Sequence, residues 1–286
     1  MLKTLTPSNK KLAVMLIRAQ KEVFSKIAGD NNARKKGVGY DFVELREYES
    51  GDDIKHIDWI ISSKMGKPHI KVFHQQRELN ISIAAVLSGS VHFGTKRLKH
   101  ELINEICALI AYSCVRQNNP FESWICNDDV ILGTKKTKQL FGVRTLAEKI
   151  ASYAVLGKSA NWGLISQKLY TRLRQRSLLF LIGDFFGTQD LDLRAISMKH
   201  EVVVIIVRDR FEEEPALLGE INITDPSTGL SSSLELDKKA AEAIREKVLE
   251  EERQLYKQLK RSGIKFIKIY TDENPAEKIL TLMNRR

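Results

Sequence analysis

The chain of 286 residues predicts an α/β protein, a doubly wound and mostly parallel sheet preceded by an N-terminal helical and signature extension. Three observations predict it. Short runs at 83–87, 178–182 and 202–207 are wholly apolar, the pattern of strands buried on both faces rather than of half-wet antiparallel ones. Between such runs lie stretches with apolar residues at helical spacing, as in Leu98, Leu102, Ile106, Leu109 and Ile110. Strand and helix patterns alternate from residue 78 to the end, the order that crossover helices between parallel strands require.

In order, Thr6-Pro7-Ser8-Asn9 offers a helix start, and Leu12, Leu16, Ala19, Val23 and Ile27 form its apolar stripe. Residues 29–37 read as a loop. Ser50-Gly51-Asp52-Asp53 is a turn feeding a helix, with an Asp as N-cap and Ile54, Ile57 and Ile61 on one side. Strands are expected at 67–73 and 78–87, then a helix over 95–115. Two short strands at 121–126 and 130–132 follow, then helices at 144–153 and 163–174. A strand at 177–182, a helix at 191–199 and a strand at 201–207 come next. Residues 212–236 are polar and turn-rich around Asp225-Pro226-Ser227-Thr228-Gly229, which suggests a surface hairpin near 216–236. The long charged helix 237–261 turns Ala241, Ile244, Val248, Leu255 and Leu259 inward and stops at Ser262-Gly263. A last strand at 264–270 and a helix at 275–283 complete the chain.

Composition limits the function classes. Apolar residues make up 43% and charged residues 29%, as in soluble globular proteins. No apolar run approaches the ~18 residues of a membrane span, and no secretory h-region opens the chain. Cys107, Cys114 and Cys126 form no CxxC pair, so neither a disulfide framework nor a zinc cluster is expected. A cytoplasmic protein is the expectation. The net charge of +10 is uneven. Residues 1–36 hold nine Lys/Arg against Glu22 and Asp30, whereas 37–59 hold seven acids against Arg46 and Lys55. The basic arm can lie on that acidic segment or make peripheral contact with an anionic membrane surface. The basic clusters Lys135-Lys136-Lys138 and Arg172-Arg174-Arg176 lack interleaved aromatics, so nucleic acid is not an expected partner.

The stretch 37–59, GVGYDFVELREYESGDDIKHIDW, resembles the signature of the bacterial domain of unknown function 58 family. The matching residues are Gly37, Gly39, Asp41 and Phe42, then Leu45, Arg46, Glu47 and Tyr48, then Gly51, Asp52, Asp53, Lys55, Ile57, Asp58 and Trp59. The resemblance implies a von Willebrand factor A-like domain over 78–286, behind a basic arm at 1–36 and the signature at 37–77. It also implies a protein-binding adaptor without catalysis, since the family accompanies MoxR-type AAA+ ATPases. The signature residues are expected to lock the fold, and removal of a buried Trp59 ring would be costly.

Such domains carry a metal-ion-dependent adhesion site with a first loop Asp-x-Ser-x-Ser, a second-loop Thr and a third-loop Asp. Here the first loop reads Val86-Leu87-Ser88-Gly89-Ser90, the second falls at Ser159-Ala160-Asn161, and Asp184 stands in the third. The leading acid is missing, so the resemblance implies a degenerate site. Ser88, Ser90 and Asp184 then form a partner-binding face. No cofactor is expected, and a divalent cation enters only if a partner completes the ligand set. Two other classes compete: a metal-dependent hydrolase using Asp184 with Asp128 or Asp129, and a nucleic-acid binder using the basic arm. Gly157-Lys158-Ser159 lacks the earlier glycine of a phosphate loop, and Gly37-Val38-Gly39 lacks the third glycine of a dinucleotide fingerprint.

Overall fold

The structure is a computed structural model that describes residues 41–74 and 79–284. The basic arm, its helix, Gly37 and Gly39 lie outside the described residues. Those described divide into two compact units, 41–74 and 79–284.

In the smaller unit β1 (Asp41–Glu47) pairs antiparallel with β2 (His69–His74). Gly51 turns the chain at φ 106°, a conformation that favours glycine. The helix expected from Ile54 onward is split. Asp53 accepts from the Lys55 amide and starts a single 3-10 turn, Ile54–His56. Ile57 then returns to extended backbone and bridges Ile70. Asp58 restarts the helix as N-cap of α1 (Trp59–Met65), accepting from the Ile60 and Ile61 amides. Two capping acids in sequence made two starts where apolar spacing alone suggested one.

The larger unit is built on a six-stranded sheet. Its strands are β3 (Ile81–Val86), β4 (Phe121–Cys126), β5 (Val130–Thr137), β6 (Leu178–Gly183), β7 (Glu201–Arg208) and β10 (Lys265–Tyr270). The order is β10-β7-β6-β3-β4-β5, parallel except for β5, which is antiparallel at one edge. This is the expected doubly wound, von Willebrand factor A-like architecture. β3 and β6 are buried along their whole length, in keeping with helices on both faces.

One face is covered by α2 (Lys99–Arg116), α3 (Leu140–Ala151) and α8 (Pro275–Asn284). Leu102, Ile103, Ile106, Leu109 and Ile110 of α2 are buried against it. The other face is covered by α4 (Trp162–Arg172), α5 (Arg194–Lys199) and α7 (Lys238–Arg261). Trp162, Ile165, Leu169, Ile196, Leu255 and Leu259 pack there with Ala84, Val86, Leu181 and Val204 of the sheet. The three cysteines are buried and free, and burial pushes their thiols up.

A one-turn helix, α6 (Arg210–Glu213), follows β7 directly. The antiparallel hairpin β8 (Gly219–Thr224) and β9 (Ser231–Leu236) precedes α7, with residues 225–230 as its tip. From β3 the chain steps to β4 on one side, and later from β6 to β7 on the other. The crevice beyond the carboxyl ends of β3 and β6 is therefore the switch point of the sheet, where such folds place ligands.

Candidate functional site

Ser88, Ser90 and Asp184 meet at this switch point. The chain leaves β3 through Leu87 and makes a 3-10 turn, Gly89–Val91, which sets the Ser88 and Ser90 hydroxyl oxygens 2.8 Å apart. Asp184 follows β6 and is fully buried. Phe185 after it takes a left-handed φ of 53° and stacks on Trp162, with ring centroids 4.9 Å apart. The Trp162 indole donates to the Phe186 carbonyl at 2.8 Å, which pins the third loop to the start of α4.

A cation already occupies the crevice. Lys99, the first residue of α2, is 0% exposed. Its ammonium donates to Asp184 Oδ2 at 3.1 Å and to Glu212 Oε1 at 2.5 Å. Burial pushes the Asp184 carboxyl up, but Lys99, the Ser90 hydroxyl and Arg208 outweigh it and hold the group below the usual carboxylate range. Glu212 moves the other way, because burial raises it more than Lys99 lowers it.

Glu212 is held by a capping box. Its Oε2 accepts from the Asp209 amide at 3.0 Å, while Asp209 Oδ1 accepts from the Phe211 amide at 3.0 Å. Asp209 is itself buried. It accepts from the Thr95 amide and hydroxyl and from the Thr271 hydroxyl. Burial pushes its carboxyl up, and these donors bring it below the usual range. Arg208, also buried, lies over the Phe186 ring at 3.6 Å, and Lys99 Nζ is 4.9 Å from the same ring. Arg208 Nε and Nη1 have no protein partner among the described residues.

These residues do not fit a divalent ion. Val86 belongs to the apolar core, where its Cβ lies so near Gly183 that a β-carbon there would sit 2.9 Å away. In the second loop, Asn161 spends its side-chain oxygen capping α4 through the Leu164 amide, Ala160 offers no ligand and Ser159 is exposed. Asp184 is engaged by Lys99 and Ser90. A hard cation needs several oxygen ligands. Among the described residues, no group of three or more His, Cys, Asp or Glu is placed to hold one. Asp128 and Asp129, the acids of the hydrolase reading, are paired with Lys158 and Lys168.

The hairpin tip sits on the same loops. The Gly157 amide donates to the Pro226 carbonyl at 2.9 Å, and the Gly89 amide donates to the Lys158 carbonyl at 2.8 Å. A β-carbon on Gly89 would come within 2.5 Å of the Pro226 carbonyl carbon. Asp225 shapes the tip, accepting from the Ser227 amide and the Thr228 hydroxyl.

In the smaller unit, Arg46 donates to Asp52 at 2.6 Å and Asp52 accepts from the Glu49 amide. Glu47 pairs with Lys67, and the Tyr48 amide donates to the Pro68 carbonyl. Asp58 pairs with Lys71 at 2.6 Å, and this contact with the Ile61 amide holds its carboxyl below the usual range. Trp59 is 67% exposed, so its ring is not the buried anchor considered from sequence. Asp58 caps the helix from that position and turns Trp59 outward at its first residue.

Sequence reasoning placed Ser88, Ser90 and Asp184 together and missed Lys99, Arg208, Asp209 and Glu212. Two signals were present. Lys99 falls on the inward stripe of α2 with Leu102, Ile103 and Ile106, where a charge needs a partner. Asp209-Arg210-Phe211-Glu212 has the spacing of a capping box.

An uncharacterized protein from Mycobacterium tuberculosis is 26% identical over 214 residues, 73% of this chain and 68% of that one. Among solved structures, the SpRpn10 von Willebrand factor A domain matches at 11% identity with a TM-score of 0.37, covering 73% of this chain and 96% of that one. An aerotolerance-related membrane protein from Bacteroides fragilis matches at 12% identity with a TM-score of 0.41, covering 73% of this chain and 100% of that one. The expectation of a cytoplasmic protein is corrected by this last match, which is described as a membrane protein. No helix among the described residues is long and apolar enough to cross a membrane. The family model described as "Protein of unknown function DUF58" matches residues 44–256, well over half of the chain, and the chain belongs to that family.

Proposed function

We propose that this protein is a non-enzymatic adaptor that binds other proteins through the carboxyl edge of its sheet and works with a MoxR-type AAA+ ATPase. In this reading residues 1–36 are a basic arm, 37–77 the signature segment and 78–286 the interaction domain. The loops that carry Ser88, Ser90 and Asp184, together with the hairpin tip seated on them, form the docking face. Asp184 braces that face from within, because its carboxylate is buried.

The observation that carries the reading is the apolar rim of this face. Ile223 and Leu230 of the hairpin are exposed, and so is Leu156 next to Gly157, which bonds the tip. Apolar side chains gathered at the strand ends of a rigid sheet suit protein docking. The MoxR-type partner rests on the signature resemblance. The hydrolase reading has less support, since its acids are paired with lysines and Asp184 with Lys99.

The test is a titration of a MoxR-type ATPase against the full chain and two double variants, with melting curves alongside. Leu156→Asp/Leu230→Asp should weaken binding by about tenfold or more, roughly 1.4 kcal/mol, without lowering the melting temperature. Lys135→Glu/Lys136→Glu should bind as the parent does. The opposite pattern would move the working surface to the basic patch.

A further inference from the structure

We propose that the ammonium of Lys99 is a built-in substitute for a divalent cation, so that the site at the switch point is complete without metal. It goes beyond the adaptor reading, since it concerns the site whatever its partner.

Position comes first. Lys99 opens an 18-residue helix, where the macrodipole disfavours a cation. It is also fully buried, where an unpaired ammonium is costly. Neither circumstance suits a lysine unless its partners offset both. The partners come from two different loops: Asp184 follows β6, and Glu212 lies in the capping box after β7. Ser90, which follows β3, donates to the same Asp184 carboxylate. The ammonium thus joins the loops after β6 and β7, and the loop after β3 is tied in through Ser90 on Asp184, much as a metal gathers ligands from several loops.

Charge is consistent with the substitution. Lys99 and Arg208 together bring two positive charges, as a divalent ion would, against the carboxylates of Asp184 and Glu212. Val86 adds no acid where the adhesion-site pattern has one. Geometry also closes the site. With two carboxylates on the ammonium and the Phe186 ring 4.9 Å away, no open position is left for a partner's carboxylate to complete a metal shell. Docking at this face therefore does not run through a bridging ion.

The experiment uses the full chain, manganese as a paramagnetic probe and melting temperature. Wild type should bind no Mn²⁺ in an EPR titration, and neither EDTA nor millimolar MgCl₂ should move its melting temperature. Lys99→Met, which keeps the length and loses the charge, should melt roughly 10 °C lower, because Asp184 and Glu212 then lose their bonded cation and keep only Arg208 nearby. A double-mutant cycle reads the coupling: Lys99→Met/Asp184→Asn should lose clearly less than the sum of its two single variants. Stoichiometric Mn²⁺ in wild type, a Lys99→Met protein that melts like the parent, or an additive cycle would each overturn the proposal.

Discussion

Asp209 and Glu212 sit three residues apart in one capping box, yet their carboxyls shift in opposite directions. Asp209 receives the Thr95 amide and two threonine hydroxyls, and these outweigh its burial. Glu212 has Lys99 and one amide, and these do not. The consequence for pH follows from the signs. A depressed carboxyl such as Asp209 contributes stability that is present above its unfolded value near about pH 4 and lost as pH falls through its lower folded value. A raised carboxyl such as Glu212 contributes in the other sense, favouring the fold below its unfolded value and losing that effect as pH rises through its folded one. Asp209→Asn should therefore flatten the acid limb of the melting temperature between about pH 5 and 2. An acid limb as steep as wild type's would show that the Thr95 and Thr271 bonds contribute nothing beyond geometry. At this scale it was the family resemblance that pointed to Ser88, Ser90 and Asp184, which lie together at the switch point. At Lys99 the signal was only its place on the inward stripe of α2, which says that a partner is needed but not which one.

The hairpin β8–β9 is held to the rest of its unit at the tip, where Pro226 meets the backbone of Gly89 and Gly157. Backbone against backbone cannot yield as a flexible side chain does. Gly89→Ala should lift the tip while leaving the sheet folded. The expected readout is faster proteolytic cleavage within 225–230 with far-ultraviolet circular dichroism unchanged, and an unaltered cleavage rate would mean that the tip is not seated there. Other elements show where periodicity misled. β5 was expected to end at residue 132 but runs through Gly133 and the lysines after it to Thr137 as an edge strand. Gly133 lets the backbone approach Ser123 closely, and Lys135 and Lys136 suit an edge that must not pair further. The single helix foreseen after Gly51 became a 3-10 turn and α1, because the caps at Asp53 and Asp58 outweighed the spacing of the isoleucines.

Across the whole chain, the parallel sheet was legible because β3, β6 and β7 are buried on both faces, and that requirement leaves unbroken apolar runs in the sequence. The burial of the site was not legible. Its charges lie far apart in sequence, Lys99 with Asp184 and Glu212, Asp209 with Thr95 and Thr271, and only the strand order brings them to one edge. On the proposed reading, the docking face is braced by the Lys99 ammonium, and a partner gains contact area there without sharing a metal ion. Titration of a nucleotide-free MoxR-type ATPase with the full chain, once in EDTA and once in millimolar MgCl₂, tests this most directly. Saturable binding with the same Kd in both buffers is the predicted result. Binding lost in EDTA, or absent from both, would contradict it.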